Sequence, residues 1–544
     1  MRQLPCRGAF LTAVFSLGCG LAMAQTTDLA RHDLAHQVQT IVSEPGVSRA
    51  HWGVAVTRLD GTPLYGMNEA QLFQPASNAK LFTTTTAIAL LGPDKTFTTR
   101  IVGRGTFTGT SSLKGDVTIV GAGDANLSGR TIPYLSPKDR PKKVAGDMPV
   151  DPLRHLAAMA DQIAASGLKL IDGDIVGDDT LFPWEPYPAD WSIDDALWYY
   201  GAPVSALTIN DNAIGLTVEP GVNAGDAVSI VVDPTMPAYY RIDASGLTTG
   251  PAKSGNHVQF ERMIGSRVLR IYGTIATDAR PDNEDIAIED PAEYAALALK
   301  SMLEARGIQV TGKARAKHQL PSEPRGFVEQ SIQVAEDSAR GTLLCRTAQL
   351  TEAPLSHGEE RRELARHVSV PLLDDLTVTN KISQNQHAEI LLHQIATRLA
   401  CGGSGAQGEG ILRAFMTSKV GLDPDDFLFF DGSGLSGHDL VTPRATTKLL
   451  AWATTQPWFA DWKKTLPIGG EDGTLIARFP KAPLKDNLFA KTGTLGEARA
   501  LSGYLVAASG KTIIFSVMVG NHTPRTTADR DAMDRIVAAI AAAN

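Results

Sequence analysis

Cysteine is scarce in this chain, with four in 544 residues. Cys6 and Cys19 fall near the start, and neither Cys345 nor Cys401 sits in a CxxC pair. A thiolate zinc centre and a dithiol redox motif are therefore excluded, while a Cys345–Cys401 disulfide and two separate thiols both stay open. HExxH and Walker-type loops are missing too. A faint His387-x-Glu389 pattern has no Pro-Cys-x-x-Cys after it, so no metal and no other cofactor is expected. No stretch beyond the start stays apolar for the roughly 18 residues that a spanning helix needs. Positive charge is in deficit. The formal net charge is −8, which argues against nucleic acid as a partner.

What is present begins with an export signal. Arg2 and Arg7 flank the start of an apolar run from Ala9 to Leu21, and Ala22-Met23-Ala24 offers a small-x-small cleavage site. Residues 1–24 read as a secretory signal peptide and the mature protein as periplasmic, with at most peripheral membrane contact. A lipoprotein signal at Leu17-Gly18-Cys19 is the alternative, weakened by Ser16 where a branched aliphatic residue is wanted. The apolar spacing from Met533 to Ile540 reads as core packing rather than an anchor.

Three short motifs then follow in order: Ser77-Asn78-Ala79-Lys80, Ser383-Gln384-Asn385 and Lys491-Thr492-Gly493-Thr494. Each is weak alone, since Ser-x-x-Lys recurs at Ser111 and Ser166 and Ser-x-Asn at Ser254. Context singles out Ser77. An apolar, Thr-rich run from Leu81 to Leu91, stopped by Gly92-Pro93, reads as a buried helix with Ser77 at its N-terminus. Free N–H groups and the helix dipole favour negative charge there, and Lys80 lies three residues on along the same face. A serine hydroxyl near neutral pH needs a base to become a nucleophile. Lysine serves only if burial and nearby positive charge lower its pKa, and Lys491 supplies that charge. Ser383 suits proton relay to a leaving amine, and Asn385 suits holding Lys80 and the substrate backbone. Lys491, Thr492, Gly493 and Thr494 form a carboxylate clamp, with the backbone N–H groups of Ser77 and Thr494 as an oxyanion hole.

With these residues in hand, the chain resembles the class C low-molecular-mass penicillin-binding proteins, the D-alanyl-D-alanine carboxypeptidase/endopeptidase family (serine peptidase family S13). Asp431-Gly432-Ser433-Gly434-Leu435-Ser436, Gly470-Glu471-Asp472-Gly473-Thr474-Leu475 and Asn380-Lys381 resemble further family segments, as does Gly173-Asp174-Ile175-Val176-Gly177-Asp178. The resemblance implies an α+β catalytic domain, an antiparallel sheet with helices on both faces, carrying a large, mainly β inserted region. It implies cleavage of D-Ala-D-Ala in peptidoglycan stem peptides, cleavage of crosslinks by the same groups, and β-lactam antibiotics as covalent inhibitors. It also assigns Asp178 to the amino group of the stem peptide's diamino acid side chain. Two positions depart from the pattern. Gln384 stands where members often carry Asp, and is expected to point away from the chemistry. Gly437 stands where well-known members place an Arg for the carboxylate of that side chain.

Ser77 and Ser383 are 306 positions apart, against 108 between Ser383 and Lys491. The long gap predicts an inserted region at 100–283, with the catalytic domain formed from 25–99 and 284–544. Runs at 487–490, 500–506 and 512–519 read as antiparallel strands that set Lys491 at a sheet edge. Leu34, Val38, Ile41 and Val42 read as a helical stripe, and the polar stretch 317–363 as a surface excursion. Two rival functions stand beside the peptidase. A β-lactamase would need a deacylation base, which no residue set between Ser77 and Ser383 announces, and a silent peptidoglycan-binding protein would need neither Ser77 nor Lys80.

Overall fold

Period-two alternation along the strands assigns each residue to one of two cores. In the strand Thr512–Gly520, Ile513, Phe515, Val517 and Val519 enter one core, where a helix over residues 33–42 supplies Leu34 and Val38. The helix Ala528–Ala543 closes the same face with Met533, Ile536, Val537 and Ile540. Ile514 and Met518 point the other way, towards the helices Ala79–Leu91 and Pro443–Ala453. A sheet buried on both faces thus lies between two helical layers, the α+β arrangement expected.

These relations come from a computed structural model that describes residues 33–142, 150–234, 238–342, 355–399, 402–523 and 526–544. The expected signal peptide, Cys345 and Cys401 lie outside the described residues. Strand order in the main sheet is Leu488–Leu495, Ala498–Val506, Thr512–Gly520, His51–Arg58 and Pro63–Met67. Every neighbouring pair is antiparallel. Lys491 therefore sits on an edge strand, as its sequence context predicts.

The inserted region is larger than expected. Its seven-stranded sheet is built on Thr98–Thr108 and Ser112–Val120, and it takes in Gln309–Val310, Ala314–Gln319 and Glu360–Val368. The last of these pairs antiparallel with Thr98–Thr108. Helix Pro291–Ala305 packs in the same core as Ile101, Ile119 and Ile171 through Tyr294, Leu299 and Leu303. The strands Gln309–Val310, Ala314–Gln319 and Glu360–Val368, all beyond the expected return at residue 284, thus belong to the inserted sheet. Two three-stranded sheets extend the region, sharing a small core around Leu216, Val218, Leu269 and Ile271.

The described part of the stretch 317–363, expected as a surface excursion, includes a packed helix. This helix, Phe327–Arg340, packs against Gly405–Phe415. A Cβ on Gly410 would lie 2.5 Å from the Ser331 carbonyl, so the two helices meet there nearly backbone to backbone. Among the described residues no helix is long and apolar enough to cross a membrane.

The sheet and the Pro443–Ala453 helix are tied by one buried polar contact. Tyr504 Oη donates to the Leu450 carbonyl at 2.8 Å, one of the last-turn carbonyls that a helix leaves without an intrahelical partner. Tyr504→Phe leaves that oxygen dry and unpaired. It should destabilise the fold by about 1–3 kcal/mol, read as a lowered denaturant midpoint with an unchanged slope. An unchanged midpoint would contradict this.

Candidate active site

The nucleophile motif enters its helix through a single 3-10 turn, Ala76–Asn78, before the α-helix Ala79–Leu91. Burial runs from Ala79 to Ile88 on every side, so a threonine hydroxyl here is satisfied only by protein groups. Thr84 and Thr86 donate to carbonyls four residues back, at 2.7 and 2.8 Å. Thr83 reaches across to the Gly432 carbonyl at 2.7 Å, fixing the 431–436 loop to this helix.

That loop is organised by one carboxylate. Asp431 accepts from the backbone N–H groups of Ser433, Gly434, Leu435 and Ser436, and from the indole of Trp191 in the inserted region. Gly434 adopts φ +79°, and a Cβ there would sit 1.9 Å from the Ala76 carbonyl. Only glycine allows both the left-handed backbone and the approach. The folded loop aims the Ser433 carbonyl at Lys80.

Lys80 is fully buried. Its Nζ lies 2.9 Å from Ser77 Oγ, 2.7 Å from Asn385 Oδ1 and 2.7 Å from the Ser433 carbonyl. Burial strips water from the ammonium and pushes it down to about 8, although Asp431, Glu389 and Asp439 pull the other way. Glu389 is itself raised to about 8 by burial and the charge of Asp431, and burial lifts Asp439 and Glu409 well above the carboxylate range. Protonated acids in that cluster do little to hold a proton on Lys80.

The edge strand brings the third motif opposite. Lys491 is also fully buried, and its Nζ lies 2.8 Å from Ser383 Oγ and 3.0 Å from the Thr492 carbonyl. Burial lowers it well below the ordinary lysine value, and the charge of Lys80 lowers it further. Asn78 Nδ2 donates to the Lys491 carbonyl at 3.0 Å, stitching the serine turn to the strand. A Cβ on Gly493 would stand 2.5 Å from the Pro75 carbonyl and 3.2 Å from the Ser77 amide, so glycine is what lets the strand close on Ser77. Thr492 shares a 2.7 Å hydroxyl contact with Thr474, and Thr494 is exposed at the mouth. Lysines form the floor and hydroxyls the rim.

Ser77, Lys80, Ser383, Asn385, Lys491, Thr492, Gly493 and Thr494 are thus brought together. Asp178 is not. It lies on the inserted strand Ile175–Pro183, where its carboxylate is taken up by Lys317 at 2.7 Å and by the hydroxyl and amide of Thr180. The segment around Gly437 turns its backbone outwards, with the carbonyl accepting from Gln74 Nε2 at 2.5 Å and His438 pairing with Asp190 at 3.0 Å. Gln384 does not point into solvent. Its Nε2 reaches Asp211 of the inserted region at 3.0 Å, and the side chain is buried. Among the described residues no cluster of three His, Cys, Asp or Glu side chains is placed to hold a metal ion.

The D-Ala-D-Ala carboxypeptidase 3 (S13) family model matches residues 34–331 and 342–540. The chain belongs to that family. By class it is a serine-type D-Ala-D-Ala carboxypeptidase and a low-molecular-mass penicillin-binding protein. It is 29% identical to a D-alanyl-D-alanine carboxypeptidase of Actinomadura sp. (strain R39), over 95% of this chain and 86% of that one. The D-alanyl-D-alanine carboxypeptidase DacB of Haemophilus influenzae is 25% identical over 68% of this chain and 69% of its own length. The crystal structure of penicillin binding protein 4 from Haemophilus influenzae shares the fold, with a TM-score of 0.71 at 22% identity over 92% of this chain and 97% of that one.

Two family segments that sequence reading could only name side by side turn out to pair. Lys381 donates to Asp472 at 2.6 Å and to the Leu466 carbonyl at 2.7 Å, with side chains only 4% and 5% exposed. Asp472→Ala leaves a buried ammonium without its partner and should cost about 3–5 kcal/mol, most of it recovered when Lys381→Met is added. Thermal and denaturant unfolding of both variants check this, and a single variant as stable as the parent would refute it.

Proposed function

We propose that the protein hydrolyses the D-Ala-D-Ala bond of peptidoglycan stem peptides through an acyl-enzyme on Ser77. The observation that carries this reading is Lys80 Nζ, dry and 2.9 Å from Ser77 Oγ. Ser77 Oγ attacks the carbonyl of the penultimate D-Ala while its proton passes to neutral Lys80. The oxyanion forms between the backbone N–H groups of Ser77 and Thr494. Breakage of the C–N bond releases D-Ala, whose amine takes a proton through Ser383. Water then cleaves the ester, with Lys80 again removing the proton.

Lys491, Thr492 and Thr494 hold the terminal carboxylate of the substrate. That negative charge favours the charged form of Lys491, and a charged Lys491 disfavours charge on Lys80. Substrate binding therefore prepares its own base. The same groups serve D-Ala–diaminopimelate crosslinks, whose scissile bond has the same acyl side. They also serve β-lactam antibiotics, whose ring nitrogen stays tethered after opening and blocks the path of water. The apolar run before Ala22-Met23-Ala24 supports a periplasmic location.

Labelled penicillin and a D-Ala-D-Ala pentapeptide test the reading with the parent and Ser77→Ala. A lasting adduct and D-Ala release, both lost in the variant, are expected. Rapid penicillin turnover without peptide cleavage would favour a β-lactamase instead, and neither adduct nor cleavage a binding protein. The pH dependence has a stated sign. Because neutral Lys80 is the active form, acylation kcat/KM should climb as pH rises through about 8 and then level. A profile already flat from pH 6 would contradict this role for Lys80.

A further inference from the structure

Four successive side chains of the second motif segment are gripped by the inserted region. Gln384 Nε2 donates to Asp211 at 3.0 Å, Asn385 Nδ2 to the Tyr200 carbonyl at 2.9 Å, and Gln386 Nε2 to the Ala202 carbonyl. His387 lies between two carboxylates, 3.3 Å from Asp211 through Nε2 and 2.6 Å from Asp375 through Nδ1. Asp375 also accepts from Asn126 of the inserted region at 3.0 Å. Asp211 is paired in addition with Arg130. One buried carboxylate therefore joins the inserted region to two positions of the segment that carries Ser383 and Asn385.

The backbone on both sides of this contact is strained. Asn210, Asp211 and Asn212 have φ of 50°, 55° and 55°, a run of three non-glycine residues in the left-handed region, and Ser383 has φ 63°. Such conformations persist only where the surroundings over-determine them. Asn212 Nδ2 donates to the Pro203 carbonyl at 2.9 Å and Asn210 Nδ2 to the Ala213 carbonyl at 3.1 Å, which holds the turn from inside the inserted region. On the facing side Gln384 and His387, one and four residues after the left-handed Ser383, anchor to the carboxylate that this turn presents.

We propose that Asp211 is a positioning residue for the reaction, holding residues 383–387 so that Ser383 stays against Lys491 and Asn385 against Lys80. This deepens the acyl-transfer reading and rests on it. Asp211 Oδ2 takes Arg130 and Gln384 while Oδ1 faces His387, and the side chain is buried, so the carboxylate is engaged within the junction rather than presented to substrate. The charged groups around it are Arg130, His387 and Asp285, with Asp375 and Asp124 beyond the histidine. Burial alone would depress His387, but the charge of Asp375 and the hydrogen bonds to Asp211 and Asp375 outweigh it and carry it up to about 9. The cationic imidazolium strengthens the grip on Asp211. The substrate carboxylate clamp lies on the edge strand, and of its side chains only Lys491 touches the held segment, through Ser383 at 2.8 Å.

The test uses the full chain and stopped-flow acylation by a fluorescent penicillin, which separates the non-covalent dissociation constant from the acylation rate constant. Asp211→Asn should slow acylation at least about tenfold while the dissociation constant moves less than about threefold, the pattern for a displaced proton-transfer group. Gln384→Met removes the bond to Asp211 and the acceptor of the Gln386 amide, leaves the Arg130 and His387 pairs, and should slow acylation about fivefold. Asp211→Asn combined with Gln384→Asp returns a carboxylate to the same junction from the other side and should recover acylation to within about threefold of the parent. A parent that acylates, beside Asp211→Asn and Gln384→Met proteins that acylate equally fast, overturns the proposal alone. A parent that forms no adduct overturns the acyl-transfer reading and the proposal with it.

Discussion

The site depends on keeping two lysines out of water and close to one another. Lys80 and Lys491 are both fully buried and meet the two motif serines at 2.9 and 2.8 Å. Desolvation disfavours charge on each, and their proximity disfavours charge on both together. A lysine that rests near neutrality can take a proton from a serine, whereas an exposed one stays charged and cannot. The surrounding architecture is what makes this burial possible.

Lys80 is enclosed by the 431–436 loop, which Asp431 folds and Gly434 seats against Ala76, while Asn385 approaches from the second motif. Lys491 is enclosed because Gly493 allows the edge strand to close on the serine turn. Behind Lys80, carboxylic acids raised by burial leave the ammonium only partly compensated. The inserted region completes the enclosure through Trp191, Tyr200, Ala202 and Asp211, each touching a loop that bears a site residue. A region spliced into the middle of the chain thereby becomes a wall of the site.

Much of this is legible in the sequence where the signal is local. The helix Ala79–Leu91 and the strands Ala498–Val506 and Thr512–Gly520 fall where apolar runs and Gly stops place them. The three motifs converge as their order implies. The return from the inserted region is not legible, because Glu360–Val368 is a charged edge strand, mostly exposed, that is recognisable only by its pairing with Thr98–Thr108. Helix Phe327–Arg340 is hidden in the same way, having only Gln330 and Ser331 buried. Gln384 looks idle in sequence since its partner lies 173 positions away. Asp178, which the resemblance assigns to a substrate amino group, meets Lys317 and Thr180 in the inserted region, partners that its local sequence does not reveal.

The most direct measurement is the titration of Lys80 itself by nitrogen-15 NMR of lysine Nζ, with Lys80→Arg to assign the signal. The account predicts a midpoint near 8 in the free enzyme, falling further when a ligand carboxylate occupies the clamp beside Lys491. A midpoint above 10, insensitive to such a ligand, would contradict it.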